Sequence, residues 1–142
     1  SSSQTGDISR FLNSDLITPT EREARLSLRD NQIGLVSLAN NLLRKTSARN
    51  ILLKLGEEGI LVHPGKTNPK NEVTDRIAAL NESPKDVAGA GDSLLVSSSL
   101  ALLCGSTIWE ASYIGSIAAA IQVARVGNTP LQIKEILIQT KD

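Results

Sequence analysis

The chain holds 142 residues, 40% of them hydrophobic and 21% charged, which suits one folded domain with one core and excludes a disordered chain. Fifteen basic and fifteen acidic side chains cancel, and Phe11, Trp109 and Tyr113 are the only aromatic residues, so neither nucleic acid nor an anionic membrane is an indicated partner. The single Cys104 excludes an internal disulfide framework and a multi-cysteine zinc site, and no run approaches the roughly 18 apolar residues of a membrane span.

Residues 7–12 read as a short helix. Leu16, Ile17 and Thr18 read as a short buried strand that Pro19 stops. A helix is expected to open at Thr20 and run to about 28. Leu35, Leu38, Ala39, Leu42 and Leu43 form a helical stripe within 33–45. Residues 51–55 predict a buried strand, 56–59 a tight turn and 60–63 its hairpin partner. A polar loop follows over 64–71, then another short strand within 73–80. The longest apolar helix is expected over 93–104, ended by Gly105. Helices over 108–126 and 131–139 complete the chain. Four or five strands alternating with helices predict an α/β layer protein. Cys104 lies in an apolar run and reads as a buried, inert thiol. His63 is expected to be a surface or hydrogen-bonded residue, and Trp109 and Tyr113 packing residues. The absence of a signal peptide makes the cytoplasm the expected location.

Gly89-Ala90-Gly91 stands directly before the apolar helix. Small residues there let backbone N–H groups approach an anion, and the helix start adds its positive dipole end. Asp92 falls in the first helical turn, where a carboxylate repels phosphate at rest but can take a proton from a hydroxyl attacking it. A Gly-x-Gly turn that merely caps a helix is the plainer alternative. The dinucleotide fingerprint fits poorly, since its third glycine is Leu94, and a P-loop lacks its Gly-Lys-Ser/Thr ending. Thr20-x-x-Glu23 has the spacing of a capping box, a structural arrangement compatible with a role at a ligand.

The segment Asp86-Val87-Ala88-Gly89-Ala90-Gly91-Asp92 resembles the Asp-Thr-x-Gly-Ala-Gly-Asp signature of the ribokinase-like (PfkB) carbohydrate kinases, with Val87 where threonine is usual. Thr20-Glu21-Arg22-Glu23 resembles the family's Asn-x-x-Glu segment, with Thr20 for asparagine. Lys54-Leu55-Gly56-Glu57-Glu58-Gly59 resembles its Thr-Leu-Gly-x-x-Gly turn, with Lys54 for threonine. The stretch from Ala118 to Gly127 resembles its closing helix and loop. The resemblance implies an α/β ribokinase-like layered sheet with flanking helices, incomplete, as the C-terminal half only. It implies an ATP-dependent phosphotransferase acting on a sugar or sugar-phosphate hydroxyl. Asp92 would be the base, and the N–H groups from Ala88 through Gly89, Ala90 and Gly91 would stabilise charge on the phosphoryl group. Glu23 would organise Mg2+ through water. Thr20, Lys54, Gly56, Gly59, Ala88 and Ser116 would border the nucleotide. Asp86, Ala88, Gln122, Arg125 and Gly127 match a loop pair that holds a monovalent cation, K+, in many members.

Residues 17–25 and 124–130 look most like the heptose-7-phosphate kinase group, whose members are often fused to a nucleotidyltransferase. No methionine is present and the chain opens Ser-Ser-Ser-Gln-Thr-Gly, so residues 1–14 are expected to be a partly linker-like segment. Residues 15–142 are expected to be the C-terminal, nucleotide-binding and catalytic-base part of a longer kinase, or a chain that oligomerises. A non-catalytic nucleotide-binding or assembly module is the alternative, favoured by Val87, Thr20 and the lack of a recognisable sugar-binding portion.

Overall fold

The computed structural model describes residues 7–65, 73–81, 83–127 and 129–140, and divides into two compact units, Ser1–Arg76 and Ile77–Asp142. Of residues 1–14, expected to be a partly linker-like segment, 1–6 lie outside the described residues, as does most of the polar loop expected over 64–71; Ile8–Arg10 form a short 3₁₀ helix with Ile8 buried.

The first unit is built on a hairpin. Strand β1 (Asn50–Lys54) pairs antiparallel with β2 (Ile60–Pro64), Leu52 opposite Val62 and Ile51 opposite His63. The short β3 (Asp75–Ile77) continues the sheet in the order β1-β2-β3. Three strands are therefore present among the described residues, not four or five. The expected strand at Leu16–Thr18 is reduced to isolated parallel bridges, Ile17 with Ile51 and Thr20 with Lys54. Ile17 donates to the Asn50 carbonyl at 3.1 Å, and the amides of Leu52 and Lys54 donate to Ile17 and Pro19 at 3.0 and 2.8 Å. Pro19 has no N–H to return a bond, so the ladder cannot close into a regular strand.

Helices α1 (Glu21–Leu28) and α2 (Leu35–Thr46) cover this layer. Leu38, Ala39, Leu42 and Leu43 of α2 pack into one core with Ile51, Leu53 and Leu61 of the hairpin. Each fully buried leucine of this kind contributes about 1.5–3 kcal/mol. The helix starts at Leu35 instead of 33 because Asp30 Oδ1 accepts the amides of Gln32 and Ile33, at 2.9 and 3.2 Å, and holds them in a turn. At α1 the capping box is formed: Thr20 Oγ1 accepts the Glu23 amide at 3.1 Å, and Glu23 Oε2 accepts the Thr20 amide at 2.7 Å. Thr20→Ala is expected to destabilise the chain by about 1 kcal/mol, read as a lower urea midpoint at unchanged slope.

His63 is buried on β2 and bonded on both ring nitrogens, Nδ1 to Thr74 Oγ1 at 2.6 Å and Nε2 to Asn40 Oδ1 at 3.2 Å. Its hydrogen-bonded state is as expected; its location is interior. Burial pushes its pKa below the usual 6.5. The unfolded chain then binds the proton more readily, so this contribution is complete above about pH 6.5 and is lost as pH falls through the lowered folded value. Urea midpoints at pH 7.5 and 5 are expected to differ more for the unsubstituted chain than for His63→Gln.

The second unit is a helical hairpin, α3 (Ala90–Leu103) against α4 (Ile108–Val123), with α5 (Ile133–Gln139) beside α4. α4 is the longer helix, in place of α3, and stops at Val123 because the next residues turn back to meet Asp86. The seam is lined by small residues: Ser98 and Ala101 on α3, Ala111, Ser112, Gly115 and Ala118 on α4, all buried. A Cβ on Gly115 would fall 2.9 Å from Leu94 Cδ1 and 3.0 Å from the Leu94 carbonyl oxygen, so the backbones approach more closely than any side chain permits. Val96, Leu100 and Leu103 consequently face outward. Cys104, expected to be buried, is exposed: it caps the last turn of α3, past the inward stripe of Leu94, Ser98 and Ala101.

Candidate functional site

The residues singled out in the sequence fall on both units, and within each they are organised. In the first unit Thr20, Lys54 and Gly56 line an open cleft of about 580 Å³ with Glu21, Arg22, Arg25, Leu26, Asn31 and Leu55. The parallel bridge between Thr20 and Lys54 sets one wall, so the end of β1 and the start of α1 meet by backbone pairing and not by side-chain chance. Gly56 and Gly59 bracket the short 3₁₀ turn Gly56–Glu58 with φ of 64° and 91°. Gly59 closes that turn, donating to Gly56 O at 3.1 Å and accepting the Leu55 amide at 2.9 Å, and does not line the cleft. Glu23 is buried, with Oε2 committed to the Thr20 amide.

Sequence reasoning missed Arg22, Arg25 and Asn31. Arg25 is held by Glu21, Nε to Oε1 at 2.8 Å, and by the Ile33 carbonyl at 3.0 Å. The signal was present as an i, i+4 Glu–Arg pair. Its use on a cleft wall depends on the turn between α1 and α2, which no local pattern announces. With Arg22, Arg25 and Lys54 beside Leu26 and Leu55, the cleft combines cationic groups with apolar surface.

In the second unit Gly89 caps α3 in the left-handed region, φ 77° and ψ −6°. A side chain there would be strained, whereas glycine takes the turn freely. The first intrahelical bond runs from the Ser93 amide to the Gly89 carbonyl at 2.9 Å. The amides of Gly91 and Asp92 precede it and have no intrahelical carbonyl to bond. Asp92 is exposed in the first turn. Val87 is also exposed, at 73%.

Asp86 draws the remaining residues together. Its Oδ1 accepts the Ala88 amide at 2.9 Å, and its Oδ2 accepts the Gly127 amide at 3.1 Å. These bonds, Ala88's first and Gly127's second, hold its carboxyl below the usual carboxylate range. The amides of Lys85 and Asp86 both point to the Val123 carbonyl, at 2.7 and 3.3 Å. Gln122 Nε2 reaches the Gly127 carbonyl at 3.4 Å, and Arg125 Nη2 pairs with Glu135 Oε1 at 2.7 Å. Asp86, Ala88, Gln122, Arg125 and Gly127 are thus linked in one cluster of contacts. Glu135 belongs to it and was missed. Ser116, half-buried on α4, makes no hydrogen bond to the cluster among the described residues.

A hairpin layered with helices, and a helix launched from a left-handed glycine cap, are parts of a ribokinase-like α/β fold. A family model described as pfkB family carbohydrate kinase matches residues 1–134. The chain belongs to that family. It is 32% identical over 141 residues to the bifunctional protein HldE of Desulfatibacillum aliphaticivorans, covering 96% of this chain and 27% of that protein, and 30% identical to HldE of Campylobacter concisus, covering 92% and 27%. Among solved structures, Thermotoga maritima ribokinase superposes with a TM-score of 0.74 at 27% identity, over 90% of this chain and 42% of that one. Escherichia coli phosphofructokinase-2 superposes at 0.76 with 16% identity, over 92% and 41%. The chain therefore spans about a quarter of the length of its curated relatives and carries part of the ribokinase-like fold. None of its described helices is long and apolar enough to cross a membrane.

Proposed function

We propose that this chain is the nucleotide-binding and catalytic-base part of an ATP-dependent sugar kinase, with residues 15–142 its C-terminal portion and a sugar phosphate such as heptose 7-phosphate the acceptor. The observation that carries the reading is the start of α3. A left-handed glycine cap, small residues, first-turn amides with no intrahelical acceptor and an exposed carboxylate lie within a single turn.

Each unit, taken by itself, offers groups that suit part of a nucleotide. Arg22 and Lys54 offer positive charge to phosphates, Arg25 being paired with Glu21, and Leu26 and Leu55 offer apolar surface to a base. The amides of Gly91 and Asp92 suit an anion. A magnesium ion fits less specifically. No group of three metal-binding side chains occurs among the described residues, and Glu23 would act singly, through water, in the manner Mg2+ ordinarily accepts when phosphates supply its other ligands. A K+ ion would be held by carbonyls of the loops that Asp86 joins. Bound ATP supplies the phosphoryl group. Asp92 takes the proton from the acceptor hydroxyl on its carboxylate oxygen. The helix-start amides, fixed in advance, stabilise the charge that develops, each worth about 2.7–4 kcal/mol where such donors have been removed. The capping box holds Glu23 at a fixed place while its second oxygen stays uncommitted to Thr20. An ATP-consuming enzyme of this kind belongs in the cytoplasm.

Titration calorimetry with Mg·ATP tests the first part: saturable binding is expected, and its absence removes the nucleotide reading. An ADP-release assay of the gene product with heptose 7-phosphate, against other sugar phosphates, tests the second. Binding without turnover on any sugar would assign the chain to the non-catalytic alternative, which Val87 supports.

A further inference from the structure

We infer that Glu135, on α5, is a positioning residue for the anion loop at the start of α3, acting through Arg125 and Asp86. The inference rests on the nucleotide reading above for its functional consequence, but not for its geometry.

The contacts form a relay within the second unit. Glu135 uses both carboxylate oxygens: Oε2 accepts the Gln132 amide at 2.7 Å, which fixes the start of α5, and Oε1 accepts Arg125 Nη2 at 2.7 Å. Its carboxyl is held below the usual range first by the Gln132 amide and then by Arg125, so it stays charged. Arg125 stands where the chain leaves α4, and its amide still reaches the Gln122 carbonyl at 3.4 Å. Two residues on, the Gly127 amide is delivered to Asp86 Oδ2, whose other oxygen holds the Ala88 amide immediately before the glycine cap. Neither Arg125 nor Glu135 is fully exposed, with side chains 23% and 32% accessible, so water screens their pair less than it would a surface pair.

The alternatives are less economical. A pair that only tethered α5 would not need its arginine on the loop that meets Asp86. A pair that only closed the end of α4 would not need a glutamate already engaged at a helix start. One carboxylate serving both makes the position of the 125–127 loop depend on where α5 begins. That loop in turn supplies one of the two amides that orient Asp86. Asp86 with a single amide partner would be free to rotate, and the Ala88 amide would lose its fixed acceptor.

The test uses the whole chain and two readouts. Amide proton shifts of Gly127 and Ala88 are recorded by NMR, and Mg·ATP affinity by calorimetry, for Glu135→Ala, Glu135→Gln, Arg125→Met and Ile136→Ala. Glu135→Ala and Arg125→Met are each expected to move both amide signals and to weaken Mg·ATP binding on the order of tenfold, the scale of couplings within one hydrogen-bond network. Glu135→Gln keeps an oxygen for Arg125 and is expected to recover most of the loss. Ile136→Ala loosens α5 without touching the pair and is expected to leave both signals in place. Arg125→Met leaves the α5 start intact, so a Glu135→Ala variant that fails to fold does not remove the test. Unmoved Gly127 and Ala88 signals in Arg125→Met would overturn the relay, as would equal perturbation by Ile136→Ala. If the unsubstituted chain binds no Mg·ATP, the nucleotide reading fails while the amide signals still decide the relay.

Discussion

Replacing Asp92 with asparagine is expected to lower turnover of the gene product by about 10²–10⁴-fold while leaving its fold and its affinity for Mg·ATP nearly unchanged. The side chain is exposed in the first turn of α3 and has no hydrogen-bond partner among the described residues, so its removal breaks no structural contact. Asparagine matches its shape and is tolerated at a helix start. The one structural loss is the attraction between a carboxylate and the helix dipole, about 0.3–1 kcal/mol. A structural role would therefore show as a small fall in thermal midpoint, and a chemical role as a large fall in kcat at saturating nucleotide. Turnover kept within about threefold would remove Asp92 as the base.

Gly115→Val is expected to be the most destabilising single change in the second unit, by about 1–3 kcal/mol, the usual scale of overpacking. The position faces Leu94 and Ser98 across the α3–α4 seam, and its nearest neighbours include a backbone carbonyl that cannot swing aside. Ser98, whose Oγ is the atom nearest to an added Cβ, is fully buried, so its short side chain has little room to swing aside. Accommodation requires the helices to part. Because α3 carries Gly89 and Asp92 at its start, the strain is expected to reach the anion loop as well. Urea denaturation reads the first effect, and Mg·ATP calorimetry on the folded fraction the second.

The start of α3 was legible in the sequence because its features are local: a glycine cap, small neighbours and a carboxylate within one turn. The capping box at Thr20 and Glu23 was legible for the same reason. The hairpin of β1 and β2 followed from two apolar runs around a glycine turn. What escaped was decided by tertiary neighbours. Cys104 follows the apolar run from Leu100 to Leu103, yet the inward face of α3 is chosen by its small residues, since only they let α4 approach. The large aliphatics Val96, Leu100 and Leu103 were left outside, and apolarity alone pointed to the wrong face. The strand expected at 16–18 is cut down to isolated bridges because Pro19 removes a donor from it. Glu135 escaped because its partner Arg125 lies across a loop, where no period relates the two.

The two hairpins also bear on the order in which the chain folds. β1 with β2, and α3 with α4, are neighbours in sequence joined by short turns, so each closes a small loop and can form early in its own unit. The parallel bridges from Ile17 and Thr20 to β1 close much longer loops, across α1 and α2, and belong late in the process. Substitutions in the hairpins are then expected to act chiefly on the rate of folding, and those at Ile17 or Thr20 on the rate of unfolding, as stopped-flow urea jumps would read. The cleft wall that Thr20 and Lys54 share is on this account the last part of its unit to assemble and the first to open.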